Sequence, residues 1–142
     1  MSQEMTKLRE GILKYPRVEA EVRQSQTEDN PSAVQQKVYD ALSKEVGVDP
    51  KVLQQKLPDV ALTIQRAPDA TSYEKANAAY VANDFMEAER LALQAVEELQ
   101  KNGATKPAEI VQAYELAGLS AQKRIQFKTA LEYFRAAEKL TD

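Results

Sequence analysis

The chain contains no cysteine, no histidine and no tryptophan among its 142 residues. Without cysteine there is no disulfide framework, no thiolate nucleophile and no cysteine-ligated metal. Without histidine the usual acid–base shuttle near neutral pH is missing. Glycine is scarce: Gly11, Gly47, Gly103 and Gly118 stand far apart, so no glycine-rich loop can cradle a phosphate. Neither sign of charge dominates. The 19 basic and 22 acidic side chains leave a net charge of −3, whereas a dedicated nucleic-acid binder carries a basic face and a high pI. No run of about 18 apolar residues occurs, so no membrane span is expected. The opening Met1-Ser2-Gln3-Glu4-Met5 lacks the basic start and apolar stretch of a secretory signal, and the expected compartment is the cytoplasm.

The carboxylates do not assemble into a reactive pair. Glu87 and Glu89, and Glu97 and Glu98, are close in sequence but diverge around a helix. Asp49 and Asp59 lack the clustered acids and turn glycine of an oxygen-only metal loop. No catalytic residue, cofactor or metal is expected, and the chain does not read as an enzyme.

What is present favours helix. Apolar residues make up 43% of the chain, enough for a core, and Ala, Leu, Glu, Lys and Gln dominate, all strong helix formers. No stretch alternates β-branched residues as a strand would. The expected fold class is all-α.

The punctuation divides the chain into three segments. Residues 1–30 read as a helical arm and a polar linker. Met5, Leu8, Ile12 and Tyr15 share one helical face, Pro16 is expected to stop or kink that helix, and Val18 and Val22 suit a second short one. Gln24 to Asn30 is the linker. The arm either packs on the next helices or serves as a membrane-surface or partner-binding helix; Glu4 and Glu10 offset Lys7, Arg9, Lys14 and Arg17, which weakens the membrane reading.

Residues 31–69 read as a small helical bundle packing on the C-terminal helices. Asn30-Pro31 and Asp49-Pro50 are N-cap and first-turn signals, and Gly47 is a stop. Val34, Val38, Ala41, Leu42 and Val46 form the first buried stripe. Val52, Leu53 and Leu57 come next, and Pro58 is expected to open a separate helix carrying Val60, Ala61 and Ile64.

Residues 70–142 hold two helix pairs. Thr71-Ser72-Tyr73-Glu74 fits a capping box. That helix should run to about Ala82, turn at Asn83-Asp84, and return from Phe85 to about Lys101, where Asn102-Gly103 ends it. Thr105-Lys106-Pro107 opens a helix to about Lys123 or Arg124, and a last helix spans Phe127 to Leu140.

Those two pairs repeat one block at an offset of 42 positions. Phe85, Ala88, Ala92 and Ala95 in the first correspond to Phe127, Ala130, Phe134 and Ala137 in the second. In the second pair Gly118 and Ala130 are small where helices must approach, with Tyr114 and Phe134 filling the space beside them. Tyr114, Ala117-Gly118 and Ala130-x-x-x-Phe134 resemble the tetratricopeptide repeat. The first copy is looser: Ala76 takes the glycine position, Ala92 the aromatic one, Ser72 the place of Tyr114, and neither copy has the closing proline. The usual period is about 34 residues. The longer one here is similar to that of kinesin light chains, whose bacterial members accompany bacterial tubulins, and no heptad coiled coil of the animal type precedes it. The resemblance implies a helical-hairpin solenoid that binds protein partners, among them a bacterial tubulin-like filament.

The resemblance also implies where a partner would sit, because in that family the first helix of each pair lines a groove. Here that face carries Tyr73, Asn77 and Tyr80 in the first pair, and Gln112, Glu115, Leu119, Gln122 and Lys123 in the second. Tyr73 and Tyr80 either meet an extended peptide or pack on residues 50–67. Lys123, Arg124 and Lys128 form a basic cluster at a turn, either solvated or facing an acidic partner. An adaptor or scaffold is the leading expectation. The alternatives are a self-assembling module whose last helix packs on a second copy or precedes further repeats, and a regulatory subunit of a signalling complex.

Overall fold

The computed structural model describes residues 3–25, 30–101, 103 and 107–141. Among these residues the chain is all-α, with α1 (Gln3–Ser25), α2 (Pro31–Val46), α3 (Pro50–Arg66), α4 (Ser72–Val81), α5 (Phe85–Lys101), α6 (Pro107–Lys123) and α7 (Phe127–Thr141). None of these helices is long and apolar enough to cross a membrane.

The ends are set by local chemistry. Asn30 accepts a hydrogen bond from the Ser32 N–H at 3.0 Å, and Asp49 accepts from the Lys51 N–H at 2.8 Å. Each satisfies a donor that the first turn leaves free. Gly47 sits at φ 75°, donating its N–H to the Ser43 carbonyl at 2.8 Å, which closes α2 in the left-handed manner glycine allows. The α4–α5 and α6–α7 turns take the same conformation at Asn83 (φ 64°) and Ile125 (φ 61°). Asn102, Thr105 and Lys106, expected at the α5–α6 junction, and most of the expected polar linker lie outside the described residues.

Pro16 does not stop α1, and Pro58 does not open a separate helix. Pro16 lies inside α1 and Pro58 inside α3, and both helices continue through them. An interior proline removes one backbone hydrogen bond and costs about 3 kcal/mol. Apolar burial on both sides exceeds that cost: Leu8, Ile12, Tyr15 and Val18 flank Pro16, and Leu53, Leu57, Val60, Ala61 and Ile64 flank Pro58, all buried. Each large buried side chain contributes roughly 1.5–3 kcal/mol. Val18 and Val22 therefore continue α1 rather than form a second helix. Met5, expected on the buried face, is exposed at the rim.

Each helix packs on the next in chain order, and α1 additionally reaches α3, α4 and α6, while α4 and α6 are neighbours. One apolar cluster runs from Leu8 in α1 to Ala117 in α6. The same core thus joins residues 1–30, 31–69 and the helix pairs. A smaller cluster, Ala95, Val96, Ile110 and Ala113, seals α5 to α6.

Within the pairs, the small-against-large arrangement has a sharp geometry. A Cβ placed on Gly118 would lie 2.7 Å from the end of the Phe134 ring. In the first pair the equivalent positions, Ala76 and Ala92, are both fully buried in the main core. Two alanines thus fill these positions in the first pair, where α6 and α7 use glycine and phenylalanine.

Candidate functional site

α4 turns Tyr80 toward α1, while Tyr73 at its other end borders the small α5–α6 cluster. The start of α4 is built by its capping box: Thr71 accepts from the Glu74 N–H, and Glu74 accepts from the Thr71 N–H, both at 3.1 Å. The other carboxylate oxygen of Glu74 receives Arg9 of α1 at 3.2 Å. Ten residues further along α1, Glu19 meets Tyr80 near the end of α4. α1 therefore runs along α4 in the same direction and covers it.

The covering contact is a buried ionic and aromatic clamp. Glu19 is 5% exposed. Its carboxylate accepts from the Tyr80 hydroxyl at 2.5 Å and from the Tyr15 hydroxyl at 3.4 Å. It also pairs with Lys123 at 3.1 Å and Arg23 at 3.8 Å. The Lys123 ammonium lies 5.9 Å from the Tyr80 ring and 5.6 Å from the Phe85 ring, close enough for cation–π attraction. Tyr80 and Phe85 meet edge to face at 5.2 Å. Burial first, and the Glu19 charge second, push the Tyr80 and Tyr15 hydroxyls far above the ordinary tyrosine range. Both stay neutral donors, as the clamp requires.

This geometry decides where the expected site residues stand. Asn77 and Tyr80 are inside the molecule, 1% and 2% exposed. The Asn77 amide is spent on the Tyr73 carbonyl at 2.9 Å. Tyr73 is half-buried, and burial raises its hydroxyl pKa. The Tyr80 end of the α4 half of the expected groove is thus closed by α1. On α6, Gln112, Glu115 and Gln122 are exposed and Leu119 is half-buried, so this half faces solvent. The expected basic cluster is split. Lys123 turns inward to Glu19, and Arg124 pairs with Glu89 of α5 at 2.7 Å. Lys128 alone of the three is exposed, with no ion pair among the described residues.

Two carboxylates organise these contacts: Glu19, which sequence reasoning passed over, and Glu89, which it weighed only as a neighbour of Glu87. Glu19 breaks the apolar row Ile12, Tyr15, Val22 of α1, and a charge interrupting a buried row is the signal that pointed to it. Glu89 ties α5 to the α6–α7 turn and to α7: it accepts from Arg124 and, at 2.9 Å, from the Tyr133 hydroxyl of α7. Burial first, then the bond to Glu89, pushes Tyr133 up to about 12.

The arrangement holds helices together. No buried side-chain polar atom lacks a hydrogen-bond partner, and no group of three or more acidic side chains is placed to hold a metal, among the described residues. The open hollows are shallow. One of about 400 Å³ is lined by Gln100, Tyr114, Glu132, Arg135, Ala136, Lys139 and Leu140; another of about 380 Å³ lies between α4 and α5 around Ser72 and Gln94. Compared with family models, curated proteins and solved structures, the chain matches none.

Proposed function

We propose that the chain is a non-catalytic, cytoplasmic protein–protein interaction module whose last four helices form two tetratricopeptide-like pairs of a short solenoid. The close Gly118–Phe134 approach and the shared left-handed turn at Asn83 and Ile125 support that relation between the pairs. The observation that carries the function is the outward face of α6. α5 and α7 pack on its flanks and hold it rigid, while Gln112, Glu115 and Gln122 stand free in solvent. A fixed row of long polar side chains is a preorganised surface, and little ordering entropy is lost when a partner docks on it. The partner is read by polar contacts on α6 with Tyr73 at the border, rather than by a tyrosine-lined groove on α4.

Site-specific photo-crosslinking at Gln112 in cells of the source organism tests this. A defined adduct with another protein, lost in Glu115→Arg, supports the reading; an adduct pattern indifferent to Glu115, or none, removes it. For an acidic, tubulin-like filament, only Lys128 of the basic cluster remains available. Co-sedimentation with polymerised bacterial tubulin at low salt, weakened by Lys128→Glu, is the expected result of that version. Absence of co-sedimentation would leave the module without that partner.

A further inference from the structure

We propose that one flank of α7, formed by Phe127 and Leu131 and continued by Ile125 in the preceding turn, is the contact face of an isologous dimer in which α7 lies antiparallel on α7 of a second copy.

The three side chains are among the most exposed large apolar groups in the protein, Ile125 at 72%, Phe127 at 63% and Leu131 at 47%. Phe127 and Leu131 are one helical turn apart and form a continuous row. The internal repeat shows what that row is for. Their counterparts on α5 are Phe85 and Glu89, and this flank of α5 is where α6 packs: Lys123 lies over the Phe85 ring and Arg124 pairs with Glu89. The flank of α7 is thus in the register of a helix-stacking surface. At the position of the charged Glu89 it carries apolar Leu131, so it calls for an apolar neighbour rather than an arginine.

Ile125 adds an independent mark. It holds the left-handed conformation, φ 61°, that asparagine takes at the equivalent Asn83, φ 64°. A β-branched residue is strained there, and its side chain stays mostly in solvent. A strained residue that exposes an apolar side chain is retained against both local preferences, and such residues mark contact sites.

The face is complementary to itself. Lys128 and Glu132, one turn apart and both exposed, border the row. About a two-fold axis near its middle, Phe127 of one copy faces Leu131 of the other, and Lys128 faces Glu132. Among the described residues the other large exposed apolar side chains, Met5, Leu13, Leu62, Met86 and Leu140, form no row at i, i+4 spacing. No second strip is therefore offered for head-to-tail growth, which favours the closed, isologous arrangement. The outward face of α6 stays open in such a dimer, so this inference and the reading of α6 stand or fall separately, whereas Lys128 is taken up by Glu132 of the second copy and is then no longer open to an acidic filament.

Sedimentation equilibrium of the 142-residue chain, over a concentration series reaching ~1 mM, tests it. The expected result is a monomer–dimer equilibrium. Phe127→Asp weakens it by roughly 30-fold or more. Ile125→Asn weakens it by roughly 5-fold while raising the thermal midpoint, which separates lost contact from lost folding. Lys128→Glu weakens it by roughly 5-fold because each contact occurs twice, and adding Glu132→Lys restores it. A monomer throughout the series, open-ended assembly, or a dimer indifferent to these substitutions would overturn the proposal.

Discussion

The α4–α5 and α6–α7 pairs carry the same block, yet they solve the same problems with different residues. At the tight crossing the first pair has Ala76 and Ala92, and the second has Gly118 and Phe134. At the left-handed turn the first has Asn83 and the second Ile125. At the stacking flank the first has Phe85 and Glu89, taken up by α6, and the second has Phe127 and Leu131, which face solvent. The first pair is covered on one side by α1 and on another by α6, whereas α7 buries only Ala130 and Ala137 below a tenth exposure. The two copies share a block of sequence and a left-handed turn residue, while the neighbours of each copy decide which of its faces is core and which is surface.

The asymmetry is most dependent on α1, so the largest effect is expected at its clamp. Glu19→Ala leaves the Tyr80 hydroxyl and the Lys123 ammonium without their buried carboxylate. The cost should be about 3 kcal/mol, the lower end for a broken buried pair, since Lys123 keeps 26% of its side chain in solvent. Urea unfolding gives the loss, and amide exchange should accelerate in α1 and α4 before α7. A loss under about 1 kcal/mol would show that apolar contacts alone hold α1 in place.

The crossings come next. Gly118→Ala should cost about 1–3 kcal/mol through overpacking against Phe134. Combining it with Phe134→Ala copies the first pair's solution, so the double variant should lose clearly less than the two single losses added. Additive losses would mean that the ring moves aside freely.

Exchanging the turn residues sharpens the comparison further. Ile125→Asn should gain about 1 kcal/mol and Asn83→Ile lose about as much, because only the second introduces a β-branched residue into the left-handed region. Thermal midpoints of the two variants moving in opposite directions is the expected outcome; equal shifts would count against strain at Ile125.

The smallest effect concerns Tyr133, whose first-pair counterpart is Leu91. Its hydroxyl is raised from 10.0 to about 12, by burial first and then by Glu89. The folded state therefore favours the neutral phenol. That contribution is present in full below pH 10 and is lost as pH rises through 12. Thermal midpoints of Tyr133→Phe should fall less steeply across that window than those of the parent chain. Identical slopes would assign the alkaline loss to other groups, Tyr15 and Tyr80 first among them.

Helix starts and stops were legible because they depend on neighbours in sequence: the caps at Asn30, Asp49 and Thr71 and the stop at Gly47 need only the residues beside them. The tight approach at Gly118 was legible because small residues at helical spacing have few other uses. The prolines misled, since the cost of Pro16 and Pro58 is local while the burial that outweighs it comes from other helices. The expected site was half legible. The α6 residues Gln112, Glu115 and Gln122 are exposed, but Asn77 is buried and Tyr80 is covered by a helix that begins more than fifty residues earlier in the chain. Lys123 and Arg124 looked like free charge at a turn, and the carboxylates that hold them, Glu19 and Glu89, lie 104 and 35 positions away.

By itself the sequence determined the all-helical class, most helix boundaries and the equivalence of positions 42 apart, because propensity, capping and periodicity act over a few residues. Tertiary structure alone decided that α1 lies along α4, that Glu19 and Lys123 meet within an aromatic surround, and that the Phe127–Leu131 flank is left bare. Those outcomes depend on which helices come to share a core. Burial energy is set by whichever surfaces meet, and it carries no mark in the local order of the residues that supply it.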